Sequence, residues 1–178
     1  MIRSHKTTRT RRNLKRNILQ KKIIMHKILG LFSLILFFSC NSSSGGDVIM
    51  NSVDNKWNKK NEQKFNLEIS DPQNPKNIIF VVRNNNSYPY SNIRFIVNFT
   101  NLQNKKKETD TLNYVLAKPN GEWLGTGFGD TKETLFQYKL NYQFPGKGKY
   151  EIGLTQAMRN DNLSGIEDIG VKIETAKP

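Results

Sequence analysis

Apolar and polar residues alternate over most of the chain after residue 60, which predicts β-strands and not helices. Phe65, Leu67 and Ile69 alternate with polar residues, and a Ser-Asp-Pro sequence at 70–72 ends that run. Residues 78–82 form a short continuous apolar segment rich in β-branched side chains. Such a composition favours a central strand over a helix turn.

Four further alternating segments predict two antiparallel hairpins. The first pairs residues 93–99 with 109–116, and the second pairs 136–144 with 150–154 across a Pro-Gly-Lys-Gly turn. A last strand covers 169–173. Together the alternating and apolar segments predict seven or eight strands. No segment has a helical period long enough to predict a helix. Strands at this spacing with one apolar face predict an all-β fold, an antiparallel β-sandwich, with a closed barrel as the alternative.

One strongly apolar run, residues 28–38, does not follow this pattern. It is shorter than the stretch of about 20 residues that spans a bilayer, and the basic residues ahead of it are typical of an export signal. The Leu-Phe-Phe-Ser-Cys sequence at 36–40 resembles the bacterial lipobox, whose cysteine is acylated and becomes the first residue of the mature protein. Cys40, the single cysteine, is therefore the predicted lipidation site. The alternative is a free cysteine in a buried apolar helix.

This signal divides the chain into three parts. Residues 1–39 are the predicted lipoprotein signal peptide, and residues 61–178 are the β-sandwich domain. Residues 40–60 are expected to form the lipidated N-terminus and a flexible tether, because they begin with small polar residues. A complete short basic region, Met25-His26-Lys27, stands directly before the apolar run, so translation is expected to start at Met25. A long charged extension ahead of the signal is the alternative.

The net charge changes once the signal is set aside. The whole chain has a net charge of +13 and a pI near 9.9, which by itself is typical of a nucleic-acid or anionic-surface binder. Ten of the 28 basic residues precede Cys40, and no acidic residue does. The remainder has 18 basic and 15 acidic residues, a net charge of +3. No nucleic-acid partner is therefore expected.

Catalytic and metal-binding side chains are scarce after the signal. Both histidines, His5 and His26, lie within it, which excludes Ser-His and Cys-His pairs and zinc sites built on His or Cys. Asp161, Glu167 and Asp168 form the densest acidic cluster, but the closing glutamate of a calcium loop is missing. That cluster is expected to be a solvated turn. No catalytic residue, metal site or cofactor is predicted.

Glycine and tryptophan residues raise two further possibilities. Gly125, Gly127 and Gly129 do not match the G-x-G-x-x-G spacing of a dinucleotide site, so tight turning or a β-bulge better explains them. Trp57 and Trp123 are able to stack on sugar rings, although a tryptophan beside glycines is more often a core or sheet-edge residue.

Five sequence blocks carry a family resemblance. They are Arg-Asn-Asn-Asn-Ser-Tyr-Pro-Tyr-Ser-Asn at 83–92, Asp-Thr-Leu-Asn-Tyr at 110–114, Gly-Glu-Trp-Leu-Gly-Thr-Gly-Phe-Gly-Asp at 121–130, Gln-Ala-Met-Arg at 156–159 and Gly-Ile-Glu-Asp-Ile-Gly at 165–170. In this order they resemble the GldH family of gliding-motility lipoproteins. The resemblance implies a lipoprotein of Bacteroidota that is needed for gliding and associated with type IX secretion. It supplies no catalytic residue, and it carries over Cys40 as the acylated position.

The leading interpretation is a non-enzymatic, membrane-anchored structural or assembly component of the gliding machinery. A lipid-anchored carbohydrate-binding module is the alternative, and a carboxylate-dependent hydrolase is a distant third. The expected partners are the membrane, through the anchor at Cys40, and other machinery proteins. Tyr88, Tyr90, Trp123 and Phe128 are the candidate contacts with those proteins, because exposed aromatic residues are favoured anchors at interfaces. The sequence after Cys40 lacks an acidic run typical of surface export, so the domain is expected at the outer membrane, facing the periplasm.

Overall fold

Residues 46–177, the part of the chain that the computed structural model describes, fold as an antiparallel β-sandwich. The predicted signal peptide, the Met25 start and Cys40 lie outside these residues. Within them the chain forms ten strands: β1 (Asp47–Ser52), β2 (Lys56–Asn58), β3 (Gln63–Ile69), β4 (Lys76–Asn84), β5 (Asn92–Asn101), β6 (Lys107–Val115), β7 (Lys132–Tyr142), β8 (Gly148–Gln156), β9 (Asn162–Ser164) and β10 (Ile166–Thr175). Residues 46–177 include no helix that is long and apolar enough to cross a membrane.

Two four-stranded sheets enclose the core. The first has the strand order β1-β10-β4-β7 and the second the order β3-β8-β5-β6, with every neighbouring pair antiparallel. A short ribbon of β2 and β9 adds its buried residues to the same core. The predicted all-β sandwich is therefore confirmed, with ten strands in place of seven or eight.

The period of two along the strands explains which side chains form the core. In β3 and β5 every second residue is buried, as the alternation predicts. β4 lies between β10 and β7 and is buried on both faces over residues 78–82, which confirms the predicted central strand. The largest fully buried side chains are Trp57, Tyr150, Phe65, Phe80, Phe95, Ile78, Ile93, Leu116, Ile152, Leu154, Leu163 and Ile166.

The first predicted hairpin, now β5 and β6, is confirmed, but the second is wrong. β7 pairs with β4 in the first sheet, whereas β8 pairs with β3 and β5 in the second. Residues 143–147 therefore cross from one sheet to the other. The pairing of β7 with β4 also contains two irregularities, near Tyr138 and near Asn141, which has a positive φ. Because such bulges shift the alternation, Leu140 is half exposed although its position in the sequence pattern predicted a core residue.

The folded part of the chain begins earlier than predicted. β1 and β2 lie inside residues 40–60, which were expected to form a tether. β1 is an edge strand that pairs along its whole length with β10, from Asp47 opposite Ile173 to Ser52 opposite Asp168. Its apolar run is too short to predict a strand alone, and the backbone pairing with β10 supplies the missing stabilisation. From residue 46 onward, strands therefore replace most of the expected tether.

Two half-buried tyrosines connect the two sheets, and burial disfavours the ionised form of both. Tyr114 stacks on Phe136 with 4.4 Å between ring centroids. Tyr138 stacks on Phe80, and its hydroxyl donates a hydrogen bond to Asp110 Oδ2 at 2.5 Å. Burial, with the charge of Asp110, raises the pKa of Tyr114 to about 12. Burial, together with the hydrogen bond to Asp110, raises the pKa of Tyr138 above its ordinary range.

We expect stability to fall as the pH rises above about 10, where tyrosines in an unfolded chain ionise. The raised pKa values mean that this stabilisation is fully present below that pH and is lost as the pH passes through the folded-state values. Urea midpoints measured between about pH 8 and pH 12 test the expectation. In Tyr138→Phe the decline should be shallower, because one of the tyrosines with a raised pKa no longer titrates. A constant midpoint over the whole interval would contradict it.

Candidate functional site

Two long connections meet at one end of the sandwich. Residues 85–91 join β4 to β5, and residues 116–131 join β6 to β7. They are held together where the backbone amides of Leu116 and Ala117 donate to the carbonyl oxygen of Ser91 at 2.7 and 3.1 Å. Because these connections hold all four candidate contact residues, we term this end of the domain the aromatic end.

Three of the four aromatic residues pack against one another. The Tyr88 ring lies 5.6 Å from that of Tyr90 and 6.4 Å from that of Trp123, measured between centroids. Tyr88 is only 3% exposed, and its hydroxyl donates to the carbonyl oxygen of Asn92 at 2.8 Å. Burial, with the neighbouring Tyr90, raises the pKa of Tyr88 above its ordinary range. Tyr88 therefore supports the loops from inside, in contrast to the exposed position expected from the sequence.

Phe128 lies at the tip of a loop and is 99% exposed. The loop is folded back on the start of β7, because Thr126 and Glu133 exchange two backbone hydrogen bonds at 3.0 and 2.8 Å. Lys132 Nζ also donates to the carbonyl oxygen of Gly129 at 2.8 Å. A Cβ at Gly127 would lie 2.1 Å from the carbonyl oxygen of Thr131, so the close approach of the two sides of the loop requires glycine there. The fold thus presents Phe128 to solvent on a well-bonded loop.

A polar network that the sequence analysis missed joins this end of the domain to β10. The Glu167 carboxylate accepts hydrogen bonds from Asn85 Nδ2 at 2.9 Å and from Thr131 Oγ1 at 2.8 Å. Asn85 Oδ1 accepts the backbone amide of Ser87 at 2.9 Å, which fixes the turn before Tyr88. Both long connections are therefore tied to one carboxylate.

Asn86 fixes the orientation of Trp123. Its Oδ1 accepts a hydrogen bond from Trp123 Nε1 at 3.1 Å, and its Nδ2 donates to Asp130 Oδ1 at 3.0 Å. The asparagine-rich block at 83–92 was a signal for these contacts, but its partners are 37 and 44 residues away in sequence. No local pattern could identify them.

Gly165 closes the network from the side of β10. Its φ is +78°, and a Cβ there would lie 2.2 Å from the backbone nitrogen of Tyr88. Its carbonyl oxygen accepts the amide of Asn85 at 2.9 Å, and its own amide donates to the carbonyl oxygen of Asn55 at 3.1 Å. The position therefore needs glycine both for its backbone conformation and for its contact with the neighbouring loop.

Asp161, Glu167 and Asp168, the acidic residues that are close in sequence, make separate contacts in the structure. Asp161 forms an exposed ion pair with Lys59 at 2.5 Å, and the hydrogen bond from Lys59 lowers the pKa of Asp161. Asp168 lies 3.6 Å from Arg83, which is closer to Glu133 at 2.8 Å. The hydrogen bond to Glu133 raises the pKa of Arg83. Over residues 46–177, no three His, Cys, Asp or Glu side chains are grouped so that they could hold a metal ion.

The two tryptophans have different environments. Trp57 is fully buried, and its Nε1 donates to the carbonyl oxygen of Asn61 at 2.8 Å. Trp123 is half-buried against the core, with its indole nitrogen held by Asn86. A sugar-binding platform built from both rings is therefore not formed.

Sequence comparisons with known proteins match nearly all of the residues that the structure describes. The profile of the GldH lipoprotein family matches residues 49–173. The chain is 39% identical over 151 residues to a gliding motility lipoprotein GldH homolog of Christiangramia forsetii, covering 81% of this chain and 91% of that relative. It is 36% identical over 151 residues to gliding motility lipoprotein GldH of Flavobacterium johnsoniae, covering 81% and 92%. The chain therefore belongs to the GldH family of gliding-motility lipoproteins.

Proposed function

We propose that this lipoprotein is a non-enzymatic component of the gliding machinery, anchored by acyl chains on Cys40, and that its aromatic end binds another protein of that machinery. The observation that carries the binding role is Phe128, a large apolar side chain that is 99% exposed on a bonded loop. An aromatic ring held in this way loses little conformational freedom on binding, and such rings are frequent interface anchors. Leu124, 46% exposed on the same loop, adds apolar surface beside it.

Three observations support a role without catalysis. The chain after residue 39 contains no histidine, and its one cysteine is the proposed acylation site. The carboxylate and amide groups of Glu167, Asn85 and Asn86 at the aromatic end are engaged in hydrogen bonds that hold the loops. Such groups fix the shape of a binding surface.

The proposal also includes the cellular setting. The family resemblance implies a link to type IX secretion, and the absence of an acidic run after Cys40 favours the outer membrane with the domain facing the periplasm. Protease added to intact cells should then leave the domain uncut, whereas digestion would place it on the cell surface. Secretion of a type IX substrate, measured in the strains described next, tests the link to that pathway.

Replacing Phe128 with serine is expected to abolish or strongly reduce gliding while leaving the fold intact. The side chain makes no core contact at 99% exposure, so the free energy of unfolding should change by no more than about 0.5 kcal/mol. Spreading of colonies and movement of single cells measure gliding, and immunoblots of membrane fractions measure the amount of anchored protein.

Leu140→Ser is the matched control, because Leu140 is also a large exposed apolar residue but lies on β7, away from the two long connections. Cells that carry Leu140→Ser should glide normally. If Phe128→Ser cells also glide normally with normal amounts of protein, the aromatic end is not the binding surface. If Leu140→Ser cells lose gliding as well, the loss is not specific to the aromatic end.

A further inference from the structure

The end of the sandwich opposite the aromatic end is the one at which the described chain begins. Gly46 lines a cleft there with Lys76 and four acidic residues, Asp47, Glu68, Asp71 and Glu174. Residues 70–75, 102–106 and 143–147 form the connections at this end, together with the last described residues, 176–177. They are joined by backbone hydrogen bonds, from Leu102 to Lys149 and from Ala176 to Pro75, both at 2.9 Å. We term this the lysine end.

The two ends differ sharply in charge. The four segments of the lysine end contain four lysines and one acidic residue, Asp71, and the first two residues of β6 and β8 add Lys107, Lys149 and Glu108. All six lysines are exposed, and none forms an ion pair within residues 46–177. They are Lys105, Lys106, Lys107, Lys147, Lys149 and Lys177. The connections at the aromatic end hold four basic and five acidic residues; these connections are 53–55, 59–62, 85–91, 116–131, 157–161 and 165. The connections of the lysine end therefore have a net charge of +3 and those of the aromatic end a net charge of −1, while four acidic residues of the lysine end are grouped at the cleft beside Gly46.

The covalent chain limits how far this end can lie from the lipid anchor. Six residue steps separate Cys40 from Gly46, and a fully extended chain gains at most about 3.6 Å per residue, or roughly 20 Å in all. Strands of nine residues, such as β4 and β8, are about 30 Å long. A domain anchored through Cys40 is thus held at its lysine end, and the aromatic end is the far end.

We propose that the lysine end lies on the anionic headgroups of the anchoring membrane and that the aromatic end points away from it, toward the partner. This inference rests on the proposed acylation of Cys40. Clustered lysines are attracted to anionic lipids when they lie within about 10 Å of the surface, the screening length at moderate ionic strength. The short connection between Cys40 and Gly46 keeps the lysines close to that distance from the membrane. The electrostatic attraction to anionic lipids therefore has only to select one orientation of the domain.

Energy transfer from the domain to the membrane measures this orientation in the full-length acylated protein. Once Cys40 is acylated, a second cysteine is the only reactive thiol, so Gln73→Cys labels the lysine end and Asn160→Cys the aromatic end. The acceptor is a headgroup-labelled lipid in phosphatidylcholine vesicles, with or without phosphatidylglycerol. With phosphatidylglycerol, transfer from position 73 should exceed transfer from position 160 several-fold. The difference should shrink in about 0.5 M NaCl, which screens the charges.

Charge reversals test which lysines act. The double variant Lys107→Glu, Lys147→Glu should lose the effect of phosphatidylglycerol. The ratio of transfer from position 73 to transfer from position 160 should then be no higher than it is in phosphatidylcholine vesicles. The matched control is the double variant Lys56→Glu, Lys60→Glu, which removes two exposed lysines near the aromatic end. In this variant the effect of phosphatidylglycerol on energy transfer should be unchanged. Equal transfer from both labels, or an orientation independent of lipid charge, would overturn the inference while leaving the gliding role intact. If mass spectrometry shows no acyl group on Cys40, both the anchoring and this orientation are refuted.

Discussion

Trp57→Ala is expected to remove a large fraction of the stability of the domain. Trp57 is fully buried, and its ring packs 5.8 Å from that of Phe95, between centroids. Truncation of a buried tryptophan to alanine costs about 3–5 kcal/mol, because it removes apolar contacts and leaves a cavity. Domains of this size have total stabilities of about 5–15 kcal/mol, so the variant should unfold at a much lower urea concentration.

The position of Trp57 explains why the rest of the fold cannot easily compensate. It lies on β2, whose pairing with β9 places Trp57 opposite Leu163. Both side chains are fully buried in the sandwich core, so they pack the ribbon against the sheets. The carbonyl oxygen of Asn61 would also lose the hydrogen bond from Trp57 Nε1.

Two other variants test whether the loss of stability arises from the cavity left at Trp57. Trp57→Phe retains most of the ring and should cost about half as much as Trp57→Ala, since the cavity is smaller. Trp123→Ala, at the half-buried second tryptophan, should also cost clearly less. The urea midpoint followed by circular dichroism measures all three. If Trp57→Ala were no less stable than Trp123→Ala, the ribbon would not be part of the cooperative core.

The alternation of apolar residues predicted many of the side chains that face the core, although not the exposure of Leu140 beside a bulge, and it did not predict which strands are neighbours. Phe65, Phe95 and Phe99 were correctly placed because burial on one face of a strand follows from the period of two alone. The pairing of β7 and β8 was predicted from their closeness in sequence. In the structure a turn-rich connection carries the chain from one sheet to the other, and the sequence of that connection resembles a hairpin turn.

The loops of the aromatic end were harder to predict for a different reason. Their shape depends on contacts between residues far apart in sequence, such as Glu167 with Asn85 and Thr131. A carboxylate 82 residues from its partner leaves no periodic signal, so it was assigned to a solvated turn. Tyr88 was expected to be exposed because it lies among turn-forming residues, yet the loop folds over it.

Gly165→Ala is expected to destabilise the domain by about 3 kcal/mol. Part of the cost, about 1–2 kcal/mol, arises because alanine is strained at φ +78°. The remainder arises because the new Cβ would lie 2.2 Å from the backbone nitrogen of Tyr88. That contact is with backbone, so the loop at 85–91 has to move, and strain of this kind costs about 1–3 kcal/mol. Urea unfolding at neutral pH measures the loss.

Gly121→Ala isolates the second part of that cost. Gly121 has a similar φ of +85°, but a Cβ there would meet no atom within 4 Å. It should therefore cost only the conformational strain, about 1–2 kcal/mol. Because the displaced loop carries Asn85 and Asn86, Gly165→Ala should also change the fluorescence of Trp123, which Asn86 holds, whereas Gly121→Ala should alter it less. Equal losses in the two variants would mean that the contact between Gly165 and Tyr88 does not hold the aromatic end in place.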